Sequence, residues 1–364
     1  MKINEILGVL EAMAPLAYAE DFDNTGLLTG NKDTECNGIL VCHDALEEVI
    51  DEAVKKNCNL VVCFHPIIFK GLKSLTGRDY VERAVIKAIR HDVAIYSVHT
   101  ALDNHRRGVN KIICDTLGLT NTKILIPKEK FIRKLVTYTV ADNFVELRNA
   151  LFDAGAGKIG NYEDCSFSSK GIGTYMGNED SNPEIGNRFE FVQSEEIKLE
   201  VTFEKHQQAA ILKALFAAHL YEEVAYEIYE LENPHQQIGL GMIGDLPQPA
   251  NAHEFLMEVR DKMQCGGIRH SGIIDKPIER VAVLGGSGAF AIPHAIRAGA
   301  DVLVTADLKY HDYYQAEGKI VLADIGHYES ERFTKNYIVD YLKKKIPNFA
   351  IILSELNTNP VKYL

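Results

Sequence analysis

His327 and Glu331 stand four residues apart, just beyond the apolar run Ile320 to Leu322 and the glycine at 326. If a helix starts near Gly326, residues i and i+4 lie one above the other on a single face. A histidine and a carboxylate so placed can hold one metal ion, or two with the carboxylate bridging. Imidazole and carboxylate suit zinc, iron, manganese or nickel. The pair alone is weak, since many helices carry His and Glu on one face. The chain supplies two more residues of the same kind. His65 follows the apolar run Leu60 to Cys63, and Asp103 follows the run Val93 to Val98.

These residues need a scaffold. Gly38 to Cys42, Leu60 to Cys63 and Val93 to Val98 read as strands, with helices expected over Asp44 to Lys56 and Val81 to His91. The pattern returns near the C-terminus. Strands are expected at Arg280 to Leu284, Val302 to Thr305 and from Ile320, with a helix over Ala291 to Ala298. Strand, helix, strand at this pitch implies parallel pairing. The fold class expected is therefore α/β, with a duplicated β-α-β-α-β core. In such sheets functional groups collect beyond the C-terminal strand ends. His65, Asp103, His327 and Glu331 all follow predicted strands, two from each repeat. That joint placement is what points to a metal site.

Between the repeats the pattern changes. Strands at Leu135 to Val140, Ser166 to Thr174, Ile197 to Phe203 and Val224 to Tyr229 alternate with helices at Val145 to Ala154 and His206 to Ala218. This β-α-β-β-α-β order is that of a ferredoxin-like α+β domain. It reads as an insertion over residues 130–232, which leaves 1–129 and 233–364 as a discontinuous core.

Composition narrows the functions. The chain has 364 residues, 46% hydrophobic and 25% charged, with a net charge of −12. General binding to nucleic acid or to an anionic membrane is disfavoured. There is no signal-peptide pattern and no apolar run of membrane length, so a cytoplasmic protein is expected. Seven cysteines without a Cys-x-x-Cys spacing read as reduced core residues.

Each remaining motif has a plain alternative. His65 precedes Pro66, and a lone histidine at a strand end is often structural. Asp103 could cap a helix N-terminus. Gly285-Gly286-Ser287-Gly288 could cradle a phosphate or merely turn the chain. His99 and His311 are candidates to take a proton or orient a water. No serine or cysteine nucleophile motif is present.

The ordered set of motifs resembles the GTP cyclohydrolase 1 type 2 homolog family, the dinuclear-metal YbgI/YqfO-like proteins. The pieces are Asp23-Asn24-Thr25-Gly26-Leu27, His65-Pro66-Ile67-Ile68-Phe69-Lys70, His99-Thr100-Ala101-Leu102-Asp103, Gly285-Gly286-Ser287-Gly288, Asp307-Leu308-Lys309-Tyr310-His311, Gly326-His327-Tyr328-Glu329-Ser330-Glu331 and Asn357-Thr358-Asn359-Pro360. The inserted segment, from Ala156-Gly157-Lys158-Ile159-Gly160-Asn161-Tyr162 through Cys165-Ser166-Phe167, is similar to the PII/CutA-like module of the longer bacterial members.

The resemblance implies a hexameric ring with two metal ions per chain. The matching ligands are His65, Asp103, His327 and Glu331, with Glu331 in the bridging place. It also implies metal-dependent hydrolysis of a nucleotide-like small molecule, after the guanine ring opening in the family name. A different class of function stays open beside it, a non-catalytic metal-handling regulator whose PII-like insertion senses a ligand. One departure is visible. Many members carry paired histidines where this chain reads Phe64-His65, and a phenyl ring cannot bind a metal. His43, at the end of the neighbouring strand, could direct an imidazole toward the same space. It could equally cap the next helix or hydrogen-bond to Asp44.

Overall fold

The computed structural model describes residues 1–364. Two compact units are present. One joins Met1–Ile126 to Gln237–Leu364, and the other is Pro127–Gln236.

The first half of the discontinuous unit runs α1 (Ile3–Met13), β1 (Gly26–Thr29), β2 (Ile39–Asp44), α2 (Glu47–Lys55), β3 (Leu60–His65), α3 (Tyr80–Arg90), β4 (Ala94–Ser97), α4 (His99–Asp103), α5 (Val109–Leu117) and β5 (Thr120–Pro127). The continuous unit holds β6 (Ile132–Thr139), α6 (Ala141–Asp153), β7 (Ser166–Met176), β8 (Phe191–Glu204), α7 (Gln208–Ala218) and β9 (Tyr226–Glu230). The chain then returns with β10 (Gly239–Ala250), α8 (Ala252–Met263), β11 (Arg269–His270), β12 (Ile278–Ser287), α9 (Ile292–Arg297), β13 (Val302–Ala306), β14 (Val321–Asp324), α10 (His327–Glu331), α11 (Thr334–Lys345) and β15 (Ile351–Leu353).

In the discontinuous unit, one sheet has the order β1-β4-β3-β2-β15 and the other β11-β14-β13-β12-β10-β5. The centre of each is parallel: β2 beside β3 beside β4, and β12 beside β13 beside β14. Strand residues point alternately to opposite faces, so a parallel strand covered on both sides reads as a continuous apolar run. In β2 and β3, Ile39, Val41, Leu60, Val62 and Phe64 face a core shared with Val281, Val283, Val302 and Val304 of the other sheet. Helices α1, α5, α8 and α11 complete that core. The alternate residues Leu40, Cys42, Val61 and Cys63 pack under α2 and α3. Ala282, Leu284, Leu303 and Leu322 pack on the outer face of the second sheet, with Ile292 and Ala295 of α9.

The apolar segment Phe349 to Leu353 could have been buried by oligomerisation or as a further strand. It contributes β15, parallel to β2. All seven cysteines are free, five of them buried.

The continuous unit has one antiparallel sheet of order β7-β8-β6-β9, with its own core of Leu135, Leu147, Leu151, Leu199, Val201, Ile211 and Leu215. Its β-α-β-β-α-β sequence is the one expected. Its strands β7 and β8 are longer than expected, pairing from Ser166↔Val201 to Met176↔Phe191.

Three expectations are corrected. β12 does not stop at Leu284 but continues through Ser287. Asp103 is the last residue of α4 rather than the cap of a helix N-terminus. His43 lies inside β2, so it does not cap α2, which starts at Glu47.

Candidate metal centre

The strand ends of β3 and β14 carry the two histidines that lead the site. β3 ends on His65, where Pro66 cannot donate to a sheet ladder. After β14 the chain turns at Gly326, with φ of 89°, and enters the five-residue helix α10 at His327. Glu331 is its last residue, one turn above His327. A Cβ at Gly286 would approach Glu331 Oε1 to 2.6 Å, so the extension of β12 needs glycine there to admit the carboxylate. That is also why the glycine loop is no phosphate cradle. Gly285 N–H donates to Asn110 Oδ1 at 3.0 Å and Gly286 N–H to Ser330 Oγ at 2.9 Å, so these donors are already used.

Three imidazole nitrogens converge on one carboxylate oxygen. Glu331 Oε2 lies 3.2 Å from His65 Nε2, 3.3 Å from His327 Nε2 and 3.6 Å from His43 Nε2. His65 Nε2 and His327 Nε2 are 3.4 Å apart. Two donors each about 2.1 Å from one ion, at a tetrahedral angle, stand about 3.4 Å apart. The donor atoms of His65, His327 and Glu331 are therefore spaced as ligands of a single cation would be.

The other ring nitrogens explain the aim. His65 Nδ1 is 2.8 Å from Asp44 Oδ1, and His327 Nδ1 is 2.6 Å from Asp307 Oδ2. A carboxylate on Nδ1 fixes the tautomer and turns the Nε2 lone pair toward the centre. Asp44 is itself gripped by the Thr358 hydroxyl, and Asp307 accepts from Ser287 Oγ. His99 is built alike, with Nδ1 2.8 Å from Asp23 Oδ1 and its ring 5.2 Å from that of His65. Asp44, with His43 and His65, also forms a group of closely spaced donors. Its hydrogen bond to His65 makes it an orienting residue there.

Glu331 is buried and Asp103 partly so, and their charges act on each other. Burial and the Glu331 carboxylate push the Asp103 carboxyl well above the usual range. Burial alone would raise Glu331 too, but His65 and His327 hold it well below. Burial opposes protonation of both histidines, yet Glu331 and their aspartates outweigh it, lifting His65 to about 10 and His327 to about 11. A cation among these groups would take the place of protons, as metal loading generally does.

The residues fit such a cation. Glu331 Oε2, Asp103 Oδ1 and both ring nitrogens of His43 are buried without a hydrogen-bond partner. An unpaired buried polar atom costs about 1–3 kcal/mol, and proteins rarely collect several in one place without a ligand.

The centre opens on a cleft of about 580 Å³, whose lining includes His43, His65, Arg269, Asp324, His327 and Tyr363. His311 is not brought there; it is exposed and packs against Tyr310 and Tyr314. Asp23, Asp44 and Asp307 escaped the sequence reading as orienting groups. The signal available was an aspartate at or just past a strand end, which Asp44 and Asp307 both satisfy.

Comparison with known proteins places these observations in a family. The family model of Duf34/NIF3 (NGG1p interacting factor 3) matches residues 1–360. The "GTP cyclohydrolase 1 type 2 homolog" of Bacillus subtilis is 37% identical over 366 residues, covering 99% of this chain and 98% of that one. Among solved structures, a Bacillus cereus protein related to NIF3 superimposes with a TM-score of 0.85 at 34% identity, covering 100% of this chain and 99% of the other. A Staphylococcus aureus protein gives 0.80 at 29% identity, with 100% and 99% covered.

Proposed function

This chain belongs to the Duf34/NIF3 (NGG1p interacting factor 3) family, and on that premise we propose that it is a metal-dependent hydrolase acting on a nucleotide-like small molecule. The observation that carries the reading is the convergence of imidazole nitrogens on the buried Glu331 Oε2. His65, His327 and Glu331 hold the cation, and Asp103 supplies a further carboxylate. Zinc, iron, manganese and nickel suit the donor set, at one or two ions per chain. When bound, such an ion supplies Lewis acidity, which acidifies water and polarises an electrophilic carbon. Asp44 and Asp307 keep the two histidines aimed. We assign proton transfer to His99, which Asp23 braces beside His65. Seven free cysteines support a reducing, cytoplasmic setting, and no helix is long and apolar enough to cross a membrane.

A second reading is favoured by the charge of the cleft. Asp44, Asp307, Asp324 and Glu329 line it, and Arg269 is already paired with Asp324. Phosphates would meet carboxylates there, as would suit a non-catalytic metal-handling regulator. One experiment separates the two. Metal-loaded protein is incubated with a nucleotide mixture and the products are read by mass spectrometry. Loss of a nucleotide that disappears in Glu331→Ala supports the hydrolase; tight binding without turnover supports the regulator. Elemental analysis of His327→Ala and Glu331→Ala should show metal stripped, with the circular dichroism unchanged. Full metal retention in both would sink the site.

We also propose assembly as a homohexamer. The family resemblance supports it, as do the exposed apolar side chains Phe167, Ile172 and Met176 along the edge strand β7.

A further inference from the structure

His43 sits on β2 between the register pairs Cys42↔Cys63 and Asp44↔His65. Side chains alternate along a strand, so His43 points away from the face that buries Cys42 under α2 and α3. It lies instead on the Phe64 side. Its ring stacks on that of Phe64, with centroids 5.4 Å apart and planes inclined by 23°. Tyr328 meets it edge-on at 5.0 Å. The ring is 2% exposed, and neither nitrogen has a hydrogen-bond partner.

Buried polar groups ordinarily find partners. His219, also buried, does so with both nitrogens: Nε2 is 2.9 Å from Tyr138 O, and Nδ1 accepts from Tyr221 N–H at 3.1 Å. His43 Nε2 lies 3.6 Å from Glu331 Oε2. That is too long for a hydrogen bond. It is a natural spacing for two donors sharing a cation. His43 falls outside the group of His65, His327 and Glu331 but inside a second group with Asp44 and His65, so its donor atom lies beside the first position rather than within it.

We propose that His43 is a metal ligand, and that His43 and Glu331 define a second cation position beside the one framed by His65, His327 and Glu331. The proposal rests on the metal reading of the cleft. Glu331 becomes the bridge between the positions, and the aromatic clamp of Phe64 and Tyr328 fixes the imidazole. The ligand class is a divalent first-row ion.

The test uses the full chain stripped with chelator and reloaded with cobalt(II). Bound cobalt is counted by elemental analysis after gel filtration, and ligand-field absorption is recorded. Wild type should hold two ions per chain and His43→Ala one, with the absorption of the remaining site intact. His43→Gln keeps the side-chain bulk and should also hold one, which guards against a cavity effect in the alanine variant. Wild-type cobalt content in both variants, while His327→Ala loses metal, would overturn this inference and leave the metal centre standing. A wild-type protein that takes up no cobalt would overturn the centre and this inference together.

Discussion

His65, His327 and the neighbouring His99 each lean on an aspartate through Nδ1: His65 on Asp44, His99 on Asp23 and His327 on Asp307. The carboxylate decides which nitrogen faces the centre, so its loss should weaken binding without removing a ligand. Losing such an outer partner typically lowers metal affinity about 10–100-fold. Asp307→Ala should therefore bind zinc about 10–100-fold more weakly than wild type, measured by competition with a chromogenic chelator. Unchanged affinity would mean that His327 needs no partner to aim it. Asp307 adopts a left-handed φ of 56°, which aspartate tolerates better than most side chains, and its carboxylate reaches both His327 and Ser287. The sequence made the candidate ligands legible because functional groups collect at strand ends. It hid their supports, because those pairings bridge 21, 76 and 20 residues and leave no local spacing to read.

Elements were legible to the extent that their signals are local. The parallel strands announced themselves as apolar runs bounded by turns. The end of β12 did not, because glycines usually mark a stop. Here Asn110 and Ser330 reach the glycine N–H groups, and the backbone stays ordered through Ser287. The start of α3 shows the same dependence on side chains. Asp79 caps it by accepting from Glu82 N–H at 2.8 Å. The Glu82 carboxylate turns back on the preceding loop and accepts from Thr76 N–H at 2.8 Å and Arg78 N–H at 3.1 Å. The Arg78 and Thr76 backbone donors hold its pKa down to about 2, against an ordinary value of 4.5. A depressed carboxylate contributes stability that is fully present above the unfolded-state pKa. That contribution disappears as the pH falls through the folded-state value. Glu82→Gln should thus have a lower urea midpoint than wild type at pH 6. The gap should shrink as the pH is lowered from about 4.5 toward 2. A gap independent of pH over that range would mean that the charge of Glu82 does not matter to the loop.

At the scale of the molecule, the order of elements was readable, since each apolar pattern keeps its period. The chain divides into Met1–Ile126 with Gln237–Leu364, and Pro127–Gln236. Geometry inside the continuous unit argues that it can be removed. Its first and last strands, β6 and β9, are antiparallel neighbours, with Arg133 opposite Glu230. Beyond them Leu231 N–H donates to Ile132 O at 3.0 Å, and His235 N–H to Lys128 O at 2.8 Å. Chain entry and exit are therefore side by side, about 5.5 Å apart at a hydrogen-bonded antiparallel pair, a gap that two or three glycines span. On the other unit the flanking backbone is anchored by itself. Arg106 N–H donates to Gln237 O at 3.1 Å and Gly239 N–H to Asn104 O at 3.0 Å. The core clusters are also separate: the one built on Leu135 and Leu199 contains no residue of the discontinuous unit. Replacing residues 130–232 with a short glycine linker should leave a chain that folds and binds metal as wild type does. Light scattering on both proteins adds the test of assembly. The full chain should give about six times its 40.6 kDa mass. If the shortened chain keeps six copies, the discontinuous unit carries the ring by itself. If it falls apart while keeping its metal, the exposed edge of β7 belongs to the assembly. A monomeric full-length protein would refute the hexamer, and a shortened chain without metal would refute the independence of the core.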